Sequence, residues 1–389
     1  MRVLVAPDKF KGAAGAAAVA AAIAEGLRAG DPTLDVDVRP IADGGDGTLD
    51  AALAAGFEAR PVRARGPVGE VVDARFGVRA RPDGRLTALI ELAEICGAAR
   101  LLPGELRPLD AHTAGVGDAI AAALAAGAHE LIVAVGGSAS TDAGLGALTA
   151  LGARVLDAAG APVPPGARRL GDVDRIDLAG LPAALRDGTV RVRVATDVDA
   201  PLLGPGGAVA VFGPQKGIDP ALAPAVEAGM RTAAAAIARA AGVEVAEVAD
   251  RPGGGAAGGI SAAFAALLGA TIVPGAQFVL DLLDLRAQIA GADLVVIGEG
   301  SLDGQTLGGK GPAAVAALAH AAGCRVAAVA GRVEADAAAA LGADPVIALI
   351  DLAGGRPADS IRGTLDLARQ AGRIIAERRR DASSLECQA

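Results

Sequence analysis

The sequence predicts an α/β protein built mainly on parallel sheets. Short runs rich in β-branched residues alternate with alanine-rich stretches of helical length along most of the 389 residues. The runs are continuously apolar, as expected of strands that are buried on both faces. Hydrophobic residues make up 52% of the chain and aromatic residues only 2%, so small side chains must fill most of the core. This length allows two or three domains.

The apolar runs predict the strands, in chain order. We expect strands at Arg2–Ala6, Asp35–Arg39, Leu131–Val135, Arg191–Ala195, Asp293–Ile297, Arg325–Ala330 and Pro345–Leu349. Val62–Glu91 differs, because several short strands follow one another with turns at Gly66-Pro67 and Asp83-Gly84. That pattern favours a small antiparallel patch.

The alanine-rich stretches between the strands predict the helices. We expect helices at Ala16–Arg28, Leu49–Ala55, Val116–Ala126, Ala221–Ala241, Ala313–Ala321 and Ile361–Arg379. Strands that alternate with such helices are connected by crossovers, which gives parallel rather than antiparallel sheets.

Charge and composition exclude several classes of protein. Lys and Arg number 36 against 45 Asp and Glu, a net charge of −9, which argues against a nucleic-acid partner. We see no secretory signal and no membrane-spanning run, and we expect no membrane partner. Cys96, Cys324 and Cys387 are far apart, which fits a reducing compartment and no zinc motif. We therefore expect a cytoplasmic protein and keep a homo-oligomer open as its assembly.

Lysine is rare and unevenly placed. The chain has four lysines, Lys9, Lys11, Lys216 and Lys310, against 32 arginines, and three of the four precede a glycine. A chain that otherwise uses arginine has kept lysine beside flexible backbone. This distribution indicates a binding site.

The unusual polar residues concentrate in five loops, each of which follows a predicted strand. Ligands of open parallel sheets bind beyond the carboxyl ends of the strands, so we expect these loops on the reactive edge. The loops are Pro7–Gly12, Ile41–Thr48, Gly136–Gly144, Thr196–Gly207 and Gly298–Gly311.

Two of these loops could bind phosphate. Gly304–Lys310 reads G-x-x-x-x-G-K, but Gly311 stands where a P-loop has Ser or Thr, so we expect an anion site and no conventional P-loop. Gly136–Gly144 offers glycine backbone with the hydroxyls of Ser138, Ser140 and Thr141, and Asp142 can cap the next helix. A flexible turn and an ordinary capped turn are the respective alternatives.

A third glycine-rich segment, Pro252–Gly259, matches G-x-G-x-x-G, the dinucleotide-binding pattern. No strand precedes it, so we prefer a hinge or close helix packing.

Carboxylates supply the rest of the predicted site. Phosphoryl transfer needs acidic ligands for Mg²⁺ and a carboxylate that orients the attacking hydroxyl. Each carboxylate could also be an ordinary turn residue, but at strand ends among lysines they favour a site. The candidates are Asp8, Asp43, Asp46, Asp197, Asp199, Glu299 and Asp303.

Together and in this order, these motifs resemble the bacterial type I glycerate kinase family. The resemblance runs to about Arg379 through APDKFKG, PIADGGDGT, VGGSASTDAG, TDVDAPLLGPGGAVAVFGPQKG, GADLVVIGEGSLDGQTLGGKGP and AGRV. It implies phosphorylation of D-glycerate by ATP with Mg²⁺. It also implies two α/β domains, with a site in the cleft between them. Residues 1–92 and 275–389 would form a discontinuous Rossmann-like or flavodoxin-like domain, and 93–274 an inserted second domain.

The resemblance implies roles for individual residues. Asp43, Asp197 and Lys11 are expected to be catalytic, and Asp8, Lys11, Asp46 and Lys216 to bind glycerate. The expected ATP ligands are Ser138, Ser140, Thr141, Gln305, Thr306 and Lys310, and the expected Mg²⁺ ligands are Glu299 and Asp303.

This chain departs from the family pattern at a few positions. Thr141 replaces Asn, Ala143 replaces Gly, and Ala200 replaces the Asn before Pro-Leu. Lys9 stands where many members have Ser, so we expect it to be the least important of the four lysines. These changes put substrate preference in doubt more than activity.

Two other functions stay open at this point. A hydroxy-acid oxidoreductase using NAD(P) should have G-x-G-x-x-G after its first strand, where this chain has PDKFKG. A non-catalytic metabolite-binding regulator would have little use for so many carboxylates and lysines. The resemblance favours the C2 hydroxyl of glycerate, hence 2-phosphoglycerate, over the C3 hydroxyl.

Overall fold

A computed structural model describes residues 1–102, 104–304, 306 and 311–386. The chain divides into two compact units. The first unit consists of Met1–Asp43, Asp50–Ala55 and the chain from Ala276 onward, and the second of Gly44–Leu49 and Gly56–Gly275. The predicted domain boundary at residue 92 falls within the second unit.

The strands are short and are spread along the whole chain. They are β1 (Arg2–Pro7), β2 (Asp35–Val38), β3 (Glu58–Arg65), β4 (Val71–Ala80), β5 (Leu86–Glu91), β6 (Ala128–Ala134), β7 (Arg154–Leu156), β8 (Arg175–Asp177), β9 (Arg191–Ala195), β10 (Thr271–Val273), β11 (Leu294–Leu302), β12 (Arg325–Val333) and β13 (Val346–Ala348).

The helices vary from one turn to six. They are α1 (Ala16–Gly30), α2 (Thr48–Ala54), α3 (Leu92–Cys96), α4 (Ala114–Ala125), α5 (Leu145–Ala150), α6 (Ala183–Arg186), α7 (Ala208–Phe212), α8 (Ala223–Ala241), α9 (Val245–Ala249), α10 (Ile260–Leu268), α11 (Gly275–Leu282), α12 (Leu285–Ala290), α13 (Gly311–Ala321), α14 (Ala335–Ala340), α15 (Leu349–Leu352), α16 (Pro357–Arg362) and α17 (Thr364–Glu386).

The first unit contains a parallel sheet in the order β13-β12-β11-β1-β2. Numbered within this unit, that is the flavodoxin-like order 2-1-3-4-5. Alternate residues of a strand face opposite sides, so Val3 and Val5 pack with α1 and α17 while Leu4 and Ala6 pack with α11, α12 and α13. Helices on both faces therefore bury this sheet.

The second unit contains a mixed sheet in the order β10-β9-β6-β5-β4-β3. Neighbours from β10 to β5 are parallel, and β4 and β3 continue the sheet in antiparallel pairing. Strands β7 and β8 form a separate antiparallel pair. One apolar core joins this sheet to the helices of the unit, with Phe264 fully buried in it.

The predicted α/β class is confirmed, and so are the predicted strands and the antiparallel patch. That patch, β3 to β5, extends the sheet of the second unit. The predicted single helix Ile361–Arg379 is wrong, because two helices cover this segment. Helix α16 ends at Arg362, and α17 begins after Gly363. Among the described residues, no helix has the length and apolar character needed to cross a bilayer.

Candidate active site

The sheet of the first unit places two carboxylates on neighbouring strand ends. Strands β1 and β11 are adjacent at the point where the strand order reverses, which is where open α/β sheets bind ligands. Asp8 directly follows β1, and its backbone N–H donates to the carbonyl oxygen of Gly298 on β11 at 2.8 Å. Glu299 is the next residue of β11. Topology alone therefore brings Asp8 and Glu299 to one edge.

Asp8 is a buried carboxyl with an unbalanced electrostatic environment. Its Oδ1 accepts a hydrogen bond from the backbone N–H of Lys9 at 2.6 Å. Lys9 Nζ lies 3.9 Å from that oxygen and donates to Asp43 Oδ1 at 3.0 Å. Burial raises the pKa of Asp8 to about 7; Lys9 opposes the shift, and the carboxylates of Asp43 and Glu299 add to it. Negative charge is thus only partly neutralised here.

Thr306 links Glu299 to Asp303. Both Glu299 and Thr306 are buried, and the Thr306 hydroxyl donates to Glu299 Oε1 at 2.6 Å. The backbone N–H of Asp303 donates to Thr306 Oγ1 at 3.1 Å, and that of Thr306 donates to the Asp303 carbonyl oxygen at 3.0 Å. The predicted phosphate ligands Gln305 and Lys310 lie outside the described residues.

The donor set of this first cluster suits Mg²⁺ chemically. Carboxylate oxygens are the ligands that Mg²⁺ prefers, and the carboxylates of Asp43 and Glu299 near the buried Asp8 concentrate negative charge that a cation would relieve. Within the described part of the chain, no group of three or more His, Cys, Asp or Glu is arranged to hold a metal ion. Mg²⁺ commonly needs only one or two carboxylates besides phosphate and water, so the residues fit the ion.

The second unit has a cluster centred on a buried cation. Lys216 is 5% exposed, and its Nζ donates to Ser138 Oγ at 2.8 Å and to the Ser140 carbonyl oxygen at 2.6 Å. Burial lowers its pKa to about 8, although the carboxylate of Asp142 acts in the opposite direction. The loop after β6 therefore closes around an ammonium group. The contact joins Lys216, a predicted glycerate ligand, to Ser138 and Ser140, which are predicted ATP ligands.

Two features fix the shape of that loop. Asp142 is fully buried and accepts hydrogen bonds from the backbone N–H groups of Thr113, Gly144 and Gly146, so it ties the loop to the first turn of α5, whose N-cap is Gly144. Ala143, which replaces a family glycine, has φ of 52°, a left-handed conformation that costs about 1–2 kcal/mol for alanine. The loop backbone at Ala143 therefore has the left-handed conformation that glycine adopts readily, although the residue is alanine.

The glycine-rich segment at 252–259 packs against the same loop. The Ala143 N–H donates to the Gly258 carbonyl oxygen at 2.9 Å. Gly258 has φ of 68°, and a Cβ there would lie 2.3 Å from the Ser140 carbonyl oxygen. The preference for close packing over dinucleotide binding is therefore consistent with the structure.

Glu91 is a site residue that the sequence analysis missed. It lies at the end of β5, and its carboxylate accepts hydrogen bonds from the backbone N–H groups of Gly47 at 3.2 Å and Leu49 at 2.7 Å. Burial raises its pKa to about 7; these two hydrogen bonds oppose the shift, and Asp46 and Glu94 add to it. A carboxylate at a strand end was the available signal, but Glu91 was assigned only to the antiparallel patch.

The other predicted residues also lie at strand ends, and all of them except Thr141 are more exposed. Asp46 is exposed in the segment that Glu91 holds, and Asp197 is exposed just after β9. Thr141 is buried next to Asp142. Lys11 is exposed and lines a cavity with Gly300 and Arg332. The predicted reactive loops thus occupy the carboxyl edges of two different sheets.

Comparison with known proteins agrees across almost the whole chain. Residues 3–377 match the model of the glycerate kinase family. The chain is 40% identical over 339 residues to a glycerate kinase of Bacillus subtilis (strain 168), covering 86% of each chain. It is 41% identical over 322 residues to a glycerate 2-kinase of Escherichia coli (strain K12), covering 82% of each. A crystal structure from Salmonella typhimurium LT2, described as a candidate glycerate kinase 2, matches with a TM-score of 0.81 at 36% identity, covering 100% of both chains.

Proposed function

The chain belongs to the glycerate kinase family, and we propose that it transfers the γ-phosphate of ATP to the C2 hydroxyl of D-glycerate. Phosphoryl transfer to glycerate is the activity that the family and its named relatives share. The choice of C2 is supported by the relative named glycerate 2-kinase, at 41% identity. The oxidoreductase and regulator alternatives find no support among these relatives.

We assign the carboxylate cluster of the first unit to metal binding and to the attacking hydroxyl. Glu299 and Asp303 would hold Mg²⁺, which when bound supplies positive charge to neutralise phosphate oxygens, and Asp8 stays a candidate contact to glycerate. Asp43 is our preferred group for orienting the hydroxyl, with Asp197 as the second candidate. Asp43 is one-third exposed and lies beside Lys9 and Asp8, so a hydroxyl can reach it.

The chemical step under this assignment is a single displacement. The hydroxyl oxygen of glycerate forms a bond to the γ-phosphorus while the bond from that phosphorus to the β-γ bridging oxygen breaks. The hydroxyl proton passes to the Asp43 carboxylate, and ADP leaves with the bridging oxygen. Positioning and charge neutralisation supply most of the acceleration in such reactions, so Asp43 need not be a strong base.

We assign the cation-centred cluster of the second unit to oxyanion binding. Lys216 is the candidate for the glycerate carboxylate, and Asp46 is a further candidate contact to glycerate. The Ser138, Ser140 and Thr141 loop is the candidate for phosphate oxygens. The loop supports this role because it combines a buried ammonium, hydroxyls and glycine backbone. Gln305, Thr306 and Lys310 stay candidate phosphate ligands.

The compartment and the assembly are also proposals. Cys96 and Cys324 are buried free thiols, which supports a reducing compartment such as the cytoplasm. A homo-oligomer stays a prediction.

A coupled assay tests the reaction directly. ADP should appear only when ATP, Mg²⁺ and D-glycerate are all present. ³¹P NMR of the product should show a phosphate ester on C2; an ester on C3 would overturn the C2 assignment and leave glycerate phosphorylation intact. Absence of glycerate-dependent ADP would reject the kinase activity itself.

A further inference from the structure

The first unit contains a cavity to which the proposed function assigns no ligand. Its volume is about 290 Å³, close to the lower limit for small-molecule pockets. Residues from the ends of β1, β11 and β12 line it, including Phe10, Gly300 and Arg332. Phe10 is two residues from Asp8, and Gly300 follows Glu299, so the cavity adjoins the carboxylate cluster along two strands.

At this edge two glycines let backbone segments approach more closely than side chains would allow. A Cβ on Gly331 would lie 2.5 Å from the Gly300 carbonyl oxygen, and a Cβ on Gly300 would lie 3.1 Å from the Lys11 backbone nitrogen. These glycines let the ends of β11 and β12 approach each other and the loop after β1. Exposed backbone at a strand-end crevice is where flavodoxin-like sheets bind ligands.

The wall of the cavity has both apolar and cationic parts. Phe10, Ile350, Pro357 and Ile361 supply apolar surface. Lys11 and Arg332 also line it, and neither forms an ion pair with any described residue. In a chain with net charge −9, where many arginines are paired, two unpaired cations at one cavity indicate an anionic ligand.

Ser360 adds a polar group to the wall. It is 6% exposed and lines the cavity, where its hydroxyl can donate or accept a hydrogen bond. The cavity therefore combines an apolar surface, a hydrogen-bonding group and two positive charges.

Only one of the two substrates of the proposed reaction matches this chemistry. Every carbon of glycerate carries oxygen, so glycerate has no apolar surface to place against Phe10 and Ile361. ATP has a flat base and a chain of phosphates. We propose that this cavity binds the nucleoside of ATP, with Lys11 and Arg332 facing its phosphates. The proposal rests on the kinase function above, and it moves Lys11 from the glycerate site to the nucleotide site.

Two exposed positions allow a test without disturbing the core. Ile361→Asp places a carboxylate in the cavity, and its control is Leu365→Asp, an exposed position that does not line the cavity. Arg332→Ala removes a cation, and its control is Arg325→Ala at the other end of β12. Thermal unfolding of all four variants checks that each still folds.

ADP affinity by titration calorimetry and the KM values for ATP and D-glycerate are then compared. We expect Ile361→Asp and Arg332→Ala each to weaken ADP binding and raise the KM for ATP about tenfold or more, with the KM for glycerate unchanged. Both controls should match the wild type. Inorganic tripolyphosphate lacks a nucleoside, so its inhibition of an Ile361→Ala variant should stay as in the wild type, while ADP should bind that variant more weakly.

Unchanged ADP affinity in Ile361→Asp and Arg332→Ala would overturn the proposal. A raised KM for glycerate with normal ADP binding would instead assign the cavity to the acid substrate, which also overturns it. Failure of the kinase function would look different: the wild type would bind ADP at this cavity yet produce no ADP from ATP and glycerate.

Discussion

Asp8 in the first unit and Lys216 in the second are both buried and ionisable, and their charges are opposite. Each is therefore stabilised by a ligand of the other sign. Burial is the main cause of both pKa shifts, which raise Asp8 to about 7 and lower Lys216 to about 8. Asp8 has two further carboxylates in its surroundings, whereas Lys216 contacts neutral oxygens of Ser138 and Ser140. Lys9 only partly offsets the negative charge around Asp8, and the Asp142 carboxylate only partly offsets the burial of Lys216. Each is therefore complementary to one partner in a reaction of Mg²⁺ with anionic substrates.

Removing the positive charge of Lys216 should have the largest effect on activity. Lys216→Met keeps most of the apolar stem but leaves the loop without its ammonium group. We expect kcat/KM for glycerate to fall about a hundredfold or more, the loss typical of a charged hydrogen bond to an anion. Lys216→Arg should also fail, because a larger planar group does not fit a site that is 5% exposed.

Lys9→Ser is the matched control for this lysine. The family pattern that the sequence resembles often has Ser at this position. Lys9 is also more exposed than Lys216, although it forms an ion pair with Asp43. We expect Lys9→Ser to stay active. Normal kcat/KM in Lys216→Met, or a greater loss of kcat/KM in Lys9→Ser, would contradict the prediction that Lys216 matters more for activity than Lys9.

Neutralising Asp8 should lower activity and raise stability together. Asp8→Asn removes a carboxylate next to the proposed Mg²⁺ ligand Glu299, so kcat should fall about tenfold to a hundredfold. A carboxyl whose pKa is higher in the folded state stabilises the fold less as pH rises from about 4 to about 7. The variant should therefore be more stable than the wild type at pH 8, by about 1–3 kcal/mol.

Urea unfolding at two pH values and steady-state kinetics measure both effects. Asp35→Asn, at an exposed position where β2 begins, is the control and should change neither quantity. If Asp8→Asn lost stability at pH 8, burial of the ionised carboxylate would not be the cost that we infer.

Glu91→Gln should have a smaller effect, concentrated in pH dependence. The pKa of Glu91 rises from its usual value near 4.5 to about 7 on folding, so the unfolded chain releases this proton first. The free energy of unfolding should fall with rising pH across that window in the wild type and fall less steeply in Glu91→Gln.

The same variant should lower kcat only a fewfold, by loosening the segment that Gly47 and Leu49 anchor. Glu58→Gln is the control, because Glu58 is exposed and pairs with Arg60 at the surface. An unchanged pH slope in Glu91→Gln would mean that Glu91 does not titrate across this window.

The sequence was informative wherever function depends on local pattern. Glycine-rich polar loops after apolar runs identified Asp8, Ser138 and Glu299 as strand-end residues. Local pattern could not show that β5 is parallel to β6, which gives Glu91 its position beside Gly47. The contact of Lys216 with Ser138 spans 78 residues and depends on the folded second unit. The interruption at Gly363 was missed because one glycine in an otherwise periodic stretch is often tolerated.

The smallest predicted effect concerns two buried serines, of which we expect only one to contribute to substrate binding. Ser140 and Ser261 are both fully buried, and neither hydroxyl oxygen has a hydrogen-bond partner among the described residues. Replacing either with Ala removes an unsatisfied polar group, so both variants should gain stability, by about 1 kcal/mol. Only Ser140 belongs to the loop that closes around Lys216, so only Ser140→Ala should raise a substrate KM, by about threefold to tenfold. Equal kinetics in the two variants would show that the Ser140 hydroxyl is a packing defect, and oxyanion binding in this loop would then depend on its backbone and Lys216.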